Sequence, residues 1–373
     1  MTVYLLAGGG TAGHVNPLLA TADRLRERDP GSTVLVLGTA EGLEARLVPE
    51  RGYELLTVPR LPFPRRPNGE LLRFPGRWRE TVRAARAHLR EQGVDVVVGF
   101  GGYASAPAYR AARREKVPIA IHEANAKPGL ANRLGARFTR FVGVTFASTK
   151  LRGSRLVGFP LRREIETLDR PASRAEGMRA FDLDARRPVL LVTGGSSGAR
   201  RINDTVIASA SALVGAGWQV LHLSGGLREA VADPGLQGYR LLPYSDRMDL
   251  AFAAADLAIS RAGSATVSEL AAVGLPAVVV PYPVGNGEQA FNALDAVRAG
   301  GAVLVDDAAF TPDWVRSELL PLLADRARVA ELAARIGTVG HRDGADRMVD
   351  LVFEARDSRR SSDRPAARPE SDG

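Results

Sequence analysis

Apolar and polar positions along the chain repeat one pattern many times: a short unbroken apolar run, a glycine-rich or polar turn, then a stretch with apolar residues at helical spacing. TVYLLAGGG at the start reads as a strand and NPLLATADRLRER as a helix. STVLVLGT at 32–39 is a second strand, EGLEARLVPERG a helix and YELLTV a third strand. VDVVVGFGGYASAPAYRAARR and VPIAIHEANAKPGLANRLGAR each hold a strand, a turn and a helix. Apolar runs without polar alternation predict strands buried on both faces, and intervening helices predict crossovers, so the pattern describes a parallel sheet covered on both sides.

Around 158–185 the pattern lapses into a polar, proline-marked stretch, and RPVLLVTGGSSGARRINDTVIASASAL then restarts it. WQVLHLSGG, YRLLPYSDRM and AGGAVLVDDAAFT continue it. The chain is therefore α/β, with two doubly wound, Rossmann-like units: residues 1–160, then 161–340. Segments 313–336 and 340–355 have helical spacing, which makes 341–355 a C-terminal helix. The polar tail 356–373 is expected to be disordered. A length of 373 residues suits two cores better than one. Two such units leave a cleft lined by loops at the carboxyl ends of their strands.

Composition removes several classes. The absence of cysteine excludes disulfides, thiolate metal sites and a cysteine nucleophile. No window approaches eighteen uninterrupted apolar residues and the start lacks a basic region before a cleavable apolar one, so neither a membrane span nor a signal peptide is expected. The net charge is +8, mostly from arginine, since Lys116, Lys127 and Lys150 are the lysines. Arg60 to Arg90 contains nine arginines against Glu70 and Glu80, which is nearly the whole excess. That face suits something anionic.

Four predicted strand-to-helix turns are glycine-rich: GGGTAG at 8–13, GFGG at 99–102, GGSSG at 194–198 and GS at 263–264. Without a β-carbon, phosphate oxygens can approach backbone N–H groups where a helix begins. A tight turn that binds nothing is the alternative for any one loop. No Gly-Lys-Ser/Thr follows these loops, and Glu41 falls late for the acidic residue of a dinucleotide fold, so ATP hydrolysis and hydride transfer are not favoured. His14 follows the first loop, where the helix N-terminus keeps imidazole neutral and available as a base. His122 and Glu123 follow a strand toward the cleft, as further site groups or as supports for the loop.

Seven segments, GGGTAGHVNP, GFGGYASAP, IHEANAKPGLANR, GFPLR, TGGSSGAR, SRAGSATVSEL and GNGEQAFNA, together resemble family 28 of the glycosyltransferases. Those are peptidoglycan enzymes that add N-acetylglucosamine to lipid I and make lipid II. The resemblance runs in order from residue 2 to about 353. It implies the GT-B architecture, two Rossmann-like domains facing a cleft, with the last helix crossing back to the first domain. It implies UDP-N-acetylglucosamine as donor substrate, inversion at the anomeric carbon, and neither a bound cofactor nor a protein-held metal. Asp182 and Asp184 have the spacing of a metal-binding Asp-x-Asp pair, but their polar surroundings point to a turn.

Matched by motif, Gly194, Gly195 and Ser196 would face the donor diphosphate with Gly263, Ser264, Ala265 and Thr266. Glu269 would accept the ribose hydroxyls, with a solvent-facing carboxylate as the plain alternative. Arg162 would lie near the uracil, or in a surface ion pair. Glu288 and Gln289 match the positions that read the sugar, although relatives often have glutamine or histidine in place of Glu288. Thr11, Gly13 and Asn125 complete the donor set from the first domain. Ala12 and Ala124 replace a commoner glycine and glutamine. His14 would take the proton of the acceptor 4-hydroxyl, or else bind acceptor diphosphate or position the loop. Gly101, Gly102 and Tyr103 would face the acceptor.

Within RLPFPRRPNGELLRFPGRWRETVRAARAHLR, Trp78, Val82, Ala85 and Leu89 share one helix face, expected against the sheet. Ahead of them, prolines predict an irregular stretch in which Phe63, Leu71, Leu72 and Phe74 alternate with Arg65, Arg66, Arg73 and Arg77. Such a segment suits an anionic membrane surface on the cytoplasmic face, as a lipid-linked acceptor requires. The alternative is a solvated basic face. No nucleic-acid module accompanies it. The implied partners are lipid I, that membrane surface and other cell-wall synthesis proteins. Remaining alternatives are another GT-B enzyme with a different acceptor, a UDP-N-acetylglucosamine 2-epimerase, or a non-catalytic UDP-sugar or lipid-binding protein.

Overall fold

The computed structural model describes residues 1–63, 69–226, 231–284 and 287–362. Seven parallel strands, β1 (Val3–Ala7), β2 (Thr33–Gly38), β3 (Glu54–Thr57), β4 (Val96–Gly99), β5 (Ile119–Glu123), β6 (Phe141–Val144) and β7 (Ser154–Leu156), form one sheet in the order β3-β2-β1-β4-β5-β6-β7. Six more, β8 (Val189–Thr193), β9 (Gln219–Leu223), β10 (Tyr239–Leu242), β11 (Leu257–Ser260), β12 (Ala277–Val279) and β13 (Ala302–Leu304), form a second parallel sheet, β10-β9-β8-β11-β12-β13. This is the GT-B architecture.

The unbroken apolar runs become central strands because both faces are covered. In β1, Tyr4 and Leu6 enter one core, while Leu5 and Ala7 enter the opposite one with Leu35, Leu37 and Leu89. In β8, Val189 and Leu191 face one core and Leu190 and Val192 the other. Strand order reverses between β1 and β4 in the first sheet and between β8 and β11 in the second. At such a reversal successive crossovers leave on opposite faces and open a crevice at the strand ends. All four glycine turns of the sequence follow these four strands.

The last helix, Gly344–Ser362, returns to the first sheet. Met348, Val349, Leu351, Val352 and Ala355 are buried there with Tyr4, Leu6 and Leu18. Arg24, 8% exposed, ties the first helix, Ala12–Arg28, to Glu166 at 2.8 Å and to Asp346. The expected helix end at 355 is therefore corrected to Ser362: Arg356 reaches the Tyr4 hydroxyl at 3.1 Å and so adds another anchored turn. Of the expected tail, residues 363–373 lie outside the described residues.

The segment before Trp78 is also corrected. A helix spans Gly69–Glu91 with Pro75 inside it, rather than an irregular stretch. Val82, Ala85 and Leu89 are buried as expected of their face, but Trp78 is only half-buried and stacks on Phe74 at 6.1 Å. The stripe meets the sheet in its later turns alone.

Leu351 is 2% exposed on this returning helix. Leu351→Ala should lower stability by about 2–5 kcal/mol, as expected for emptying a packed site. Denaturant unfolding measures it, and an unchanged midpoint would mean that the helix is not docked.

Candidate active site

Two glycine loops of the first domain pack backbone against backbone. Gly102, at φ +81°, lies where a β-carbon would stand 2.3 Å from the Gly9 carbonyl oxygen. Ser105 fastens the second loop: its hydroxyl donates to the Ala7 carbonyl at 2.8 Å and accepts the Gly101 amide at 3.0 Å. Beneath the first loop, buried Glu44 accepts the Gly10 amide at 2.7 Å.

His14 stands at the lip of this assembly, at the start of the first helix. Its Nδ1 lies 3.1 Å from the Gly9 carbonyl and 3.2 Å from the Thr11 hydroxyl. A carbonyl only accepts, so Nδ1 carries the hydrogen and Nε2 keeps the lone pair in neutral imidazole. Burial lowers its pKa, against the Gly9 bond and the Glu44 charge. A β-carbon on Gly101 would lie 3.0 Å from Nε2, so glycine there leaves the ring its place. The result is a neutral, oriented imidazole on the cleft wall.

Glu123 lines the cleft and organises the following loop, accepting the amides of Asn125 at 2.9 Å and Gly129 at 3.0 Å and the Asn132 side chain at 3.0 Å. Burial pushes its pKa up and these bonds pull it down. Asn132 is held in turn by the Tyr109 hydroxyl at 2.6 Å. His122, placed toward the cleft by its strand position, is instead fully buried between Phe100 and Phe159, its Nε2 3.0 Å from the Gly158 carbonyl. The pleat turns its side chain to the opposite face of β5 from Glu123.

Opposite, the turn after β8 brings Gly194, Gly195 and Ser196 to the cleft. A β-carbon on Gly225 would stand 2.3 Å from Gly198 backbone atoms, so this loop also rests on another glycine turn. The helix Ser264–Ala272 begins beside it with Gly263 at its N-cap and no side-chain cap, and Ser264, Ala265 and Thr266 line the cleft. Unsatisfied amides at that end favour an anion. A methyl placed on Gly13 would lie 3.7 Å from Ser264 Oγ, so the two domains' loops nearly touch.

Glu269, 9% exposed, pairs with Arg162 at 3.3 Å, and both line the cleft. Burial raises the Glu269 pKa and Arg162 opposes the rise. Exposed Glu288 and half-buried Gln289 lie on the same wall, with Gln289 Oε1 accepting the Tyr282 amide at 2.9 Å. Asn292, which lies within GNGEQAFNA but is assigned no role by that motif, bridges the domains: its side chain accepts the Ala126 amide at 2.9 Å and donates to Asn125 Oδ1 at 3.4 Å and the Ala262 carbonyl at 3.2 Å. Ala124 is buried in the apolar cluster between the domains and Ala12 is half-buried in the first helical turn.

Phe63, Phe74, Trp78, Tyr103 and Leu130 line the first-domain wall of the cleft. Leu72 is 86% exposed, with Arg73 and Arg77 exposed beside it. Arg65 and Arg66 lie outside the described residues, as does the side chain of Leu71. Asp184, from the Asp-x-Asp pair, is engaged by Arg186 at 3.2 Å away from the cleft lining. The cleft encloses about 2620 Å³, well beyond one drug-sized pocket.

Two parallel-sheet domains with opposed glycine loops, an anion-favouring helix start and a neutral imidazole in the cleft between them define a GT-B protein. Residues 4–144 match the glycosyltransferase family 28 N-terminal domain and residues 189–348 its C-terminal domain. The chain belongs to glycosyltransferase family 28. It is 66% identical over 352 residues to the UDP-N-acetylglucosamine--N-acetylmuramyl-(pentapeptide) pyrophosphoryl-undecaprenol N-acetylglucosamine transferase of Leifsonia xyli, covering 94% of this chain and 98% of that protein. The protein of the same name from Streptomyces coelicolor is 52% identical over 354 residues, covering 94% and 97%. The crystal structure of Acinetobacter baumannii MurG superposes with a TM-score of 0.79 at 27% identity, over 95% of this chain and all of that one. A UDP-GlcNAc 2-epimerase from Neisseria meningitidis, at 13% identity, TM-score 0.67 and coverage of 95% and 100%, shares the fold.

Burial pushes the pKa of His122 down to about 4. The native protein keeps it neutral while the unfolded chain binds a proton below about 6.5, so its contribution is complete above that pH and is lost as pH falls toward 4. His122→Gln should flatten the fall of stability across this window by up to about 1.4 kcal/mol per pH unit. Denaturant midpoints against pH measure it; an unaltered slope would contradict a buried neutral ring.

Proposed function

We infer that the chain transfers N-acetylglucosamine from UDP-N-acetylglucosamine to the 4-hydroxyl of the N-acetylmuramyl-pentapeptide of lipid I, forming lipid II and UDP with inversion. The observation that carries this reading is the placing of His14 Nε2 on one wall and the Ser264 helix start on the other, within the near-contact of Gly13 and Ser264. The acceptor oxygen attacks the anomeric carbon, its proton passes to Nε2, and the bond from that carbon to the diphosphate oxygen breaks. Charge grows on UDP, where the amides after β8 and at Ser264–Thr266 receive it.

In this reading Gly194, Gly195, Ser196 and Gly263 to Thr266 hold the diphosphate. Glu269 takes the ribose hydroxyls, and its pairing with Arg162 supports assigning that guanidinium to the nucleoside end. Gln289 and Glu288 meet the sugar, with Thr11, Gly13 and Asn125 closing over it. Gly101, Gly102 and Tyr103 border the acceptor side.

No helix among the described residues is long and apolar enough to cross a membrane. In this reading the lipid acceptor is met at a membrane surface. Leu72, Arg73 and Arg77 stand at the start of the helix that carries Phe74 and Trp78 into the cleft wall, and we assign docking on the anionic cytoplasmic leaflet to this end. Other cell-wall synthesis proteins are the further partners of this reading.

Purified protein given radiolabelled UDP-N-acetylglucosamine and a short-chain lipid I analogue should transfer the label, and His14→Ala should lower turnover by about 10²–10⁴-fold. Absence of transfer would defeat the function; full turnover by the variant would remove His14 as base. A combined Leu72→Ser, Arg73→Gln, Arg77→Gln protein should bind anionic vesicles less tightly and still turn over a detergent-soluble acceptor. Undiminished vesicle binding would move the docking face elsewhere.

A further inference from the structure

Glu44 begins the short helix Glu44–Glu50 and is 1% exposed. Its Oε1 accepts the Thr39 amide at 3.0 Å and the Thr39 hydroxyl at 2.8 Å, while its Oε2 accepts the Gly10 amide at 2.7 Å. The chain makes room for this carboxylate at three glycines. A β-carbon on Gly9, Gly38 or Gly42 would stand 2.3, 2.6 or 2.1 Å from a Glu44 side-chain atom. A buried carboxylate is costly unless its oxygens are satisfied, and these are satisfied by the glycine loop itself.

The Gly10 amide and the Gly9 carbonyl belong to one peptide group. A trans peptide points its N–H and C=O in opposite directions. With the N–H aimed down at Glu44, the carbonyl is aimed up, where it meets His14 Nδ1 at 3.1 Å. We propose that Glu44 is a positioning residue for the base: through the Gly9–Gly10 peptide it fixes and polarises the acceptor that holds His14 with hydrogen on Nδ1 and a lone pair on Nε2. The proposal rests on the reading of His14 as the base.

Carboxylate, peptide and imidazole then act in series, where a Ser-His-Asp triad joins carboxylate to imidazole directly. The carboxylate attracts the amide hydrogen, electron density moves toward the carbonyl oxygen, and the bond to Nδ1–H strengthens, as in any polarised hydrogen-bond chain. When Nε2 takes the hydroxyl proton, the imidazolium faces an enriched carbonyl and a nearby negative charge. No proton leaves Glu44 or the peptide.

The titratable groups around His14 are few. Glu44 lies beneath its loop and its charge acts on the ring, while His122 of β5 lies in the core and is itself lowered in part by His14. Tyr103, from the loop after β4, lies against Gly10, while Ser264 across the cleft carries no charge. His122 stays neutral down to about pH 4, and the charge that acts on the His14 ring is that of Glu44.

The test is the pH profile of kcat for full-length E44Q, with UDP-N-acetylglucosamine and a soluble lipid I analogue both saturating. The plateau should fall about 10–100-fold, within what a general base supplies. The acid limb should move to lower pH, because losing the negative charge makes imidazolium harder to form, and the donor KM should change little. A raised KM with the acid limb in its original place would show a purely structural role and overturn the proposal. H14Q separates the two ideas: its acid limb must vanish, and a persisting limb would refute the base assignment itself. If E44Q does not fold, 15N NMR of the unaltered protein decides. A hydrogen on Nδ1 coupled to the Gly9 carbonyl supports the relay, and a hydrogen on Nε2 overturns it.

Discussion

Backbone meeting backbone at the cleft is the constraint on which the molecule depends. Gly102 lies on Gly9 and Gly225 on Gly198, each so close that a single methyl group would force the loops apart. The first contact joins the turns after β1 and β4, where strand order reverses and the topology opens a crevice, and the second joins the turns after the neighbouring strands β8 and β9. Packing two turns together without side chains brings their backbones into contact, while polar side chains take up individual amides, Gly10 on Glu44, Gly101 on Ser105 and Gly195 on Thr193. The rigidity of each loop is thus supplied by its neighbour and not by regular secondary structure.

Charge in the cleft is arranged by burial. His14 is held neutral by its surroundings, Glu44 is enclosed by amides, and Glu123 and Glu269 sit against donors that offset their desolvation. On the proposed mechanism, a neutral base and unpaired amides are complementary. One gains positive charge as the other meets growing negative charge, and little solvent has to reorganise between them.

The domains are joined by contacts of different kinds. Ala124, Ala126, Phe146 and Phe159 of the first domain enter an apolar cluster that belongs mainly to the second. Asn292 reaches back to Ala126 and Asn125. The returning C-terminal helix adds its own buried face, and Arg24 ties it to the first helix and to Glu166. The cleft is therefore bounded by a hinge that is packed at its base and by loops that are nearly in contact at its middle.

The sequence records the sheets, because an apolar run buried on both faces leaves its mark in every strand, and it marks all four glycine turns, where a β-carbon is excluded at Gly9, Gly102 and Gly194 and has room at Gly263. It also carried the family, through seven ordered segments. The inward turn of His122, the half-exposed setting of Trp78 and the extension of the last helix through Arg356 are settled by packing, since each depends on what lies opposite. Glu44 is the clearest case. In EGLEARL it is an ordinary helix glutamate, and it becomes the support of the first loop only when β2 and the turn after β1 bring Thr39 and Gly10 to its two oxygens. Periodicity records which side of an element is buried; which polar group awaits it there is set by residues distant in the chain.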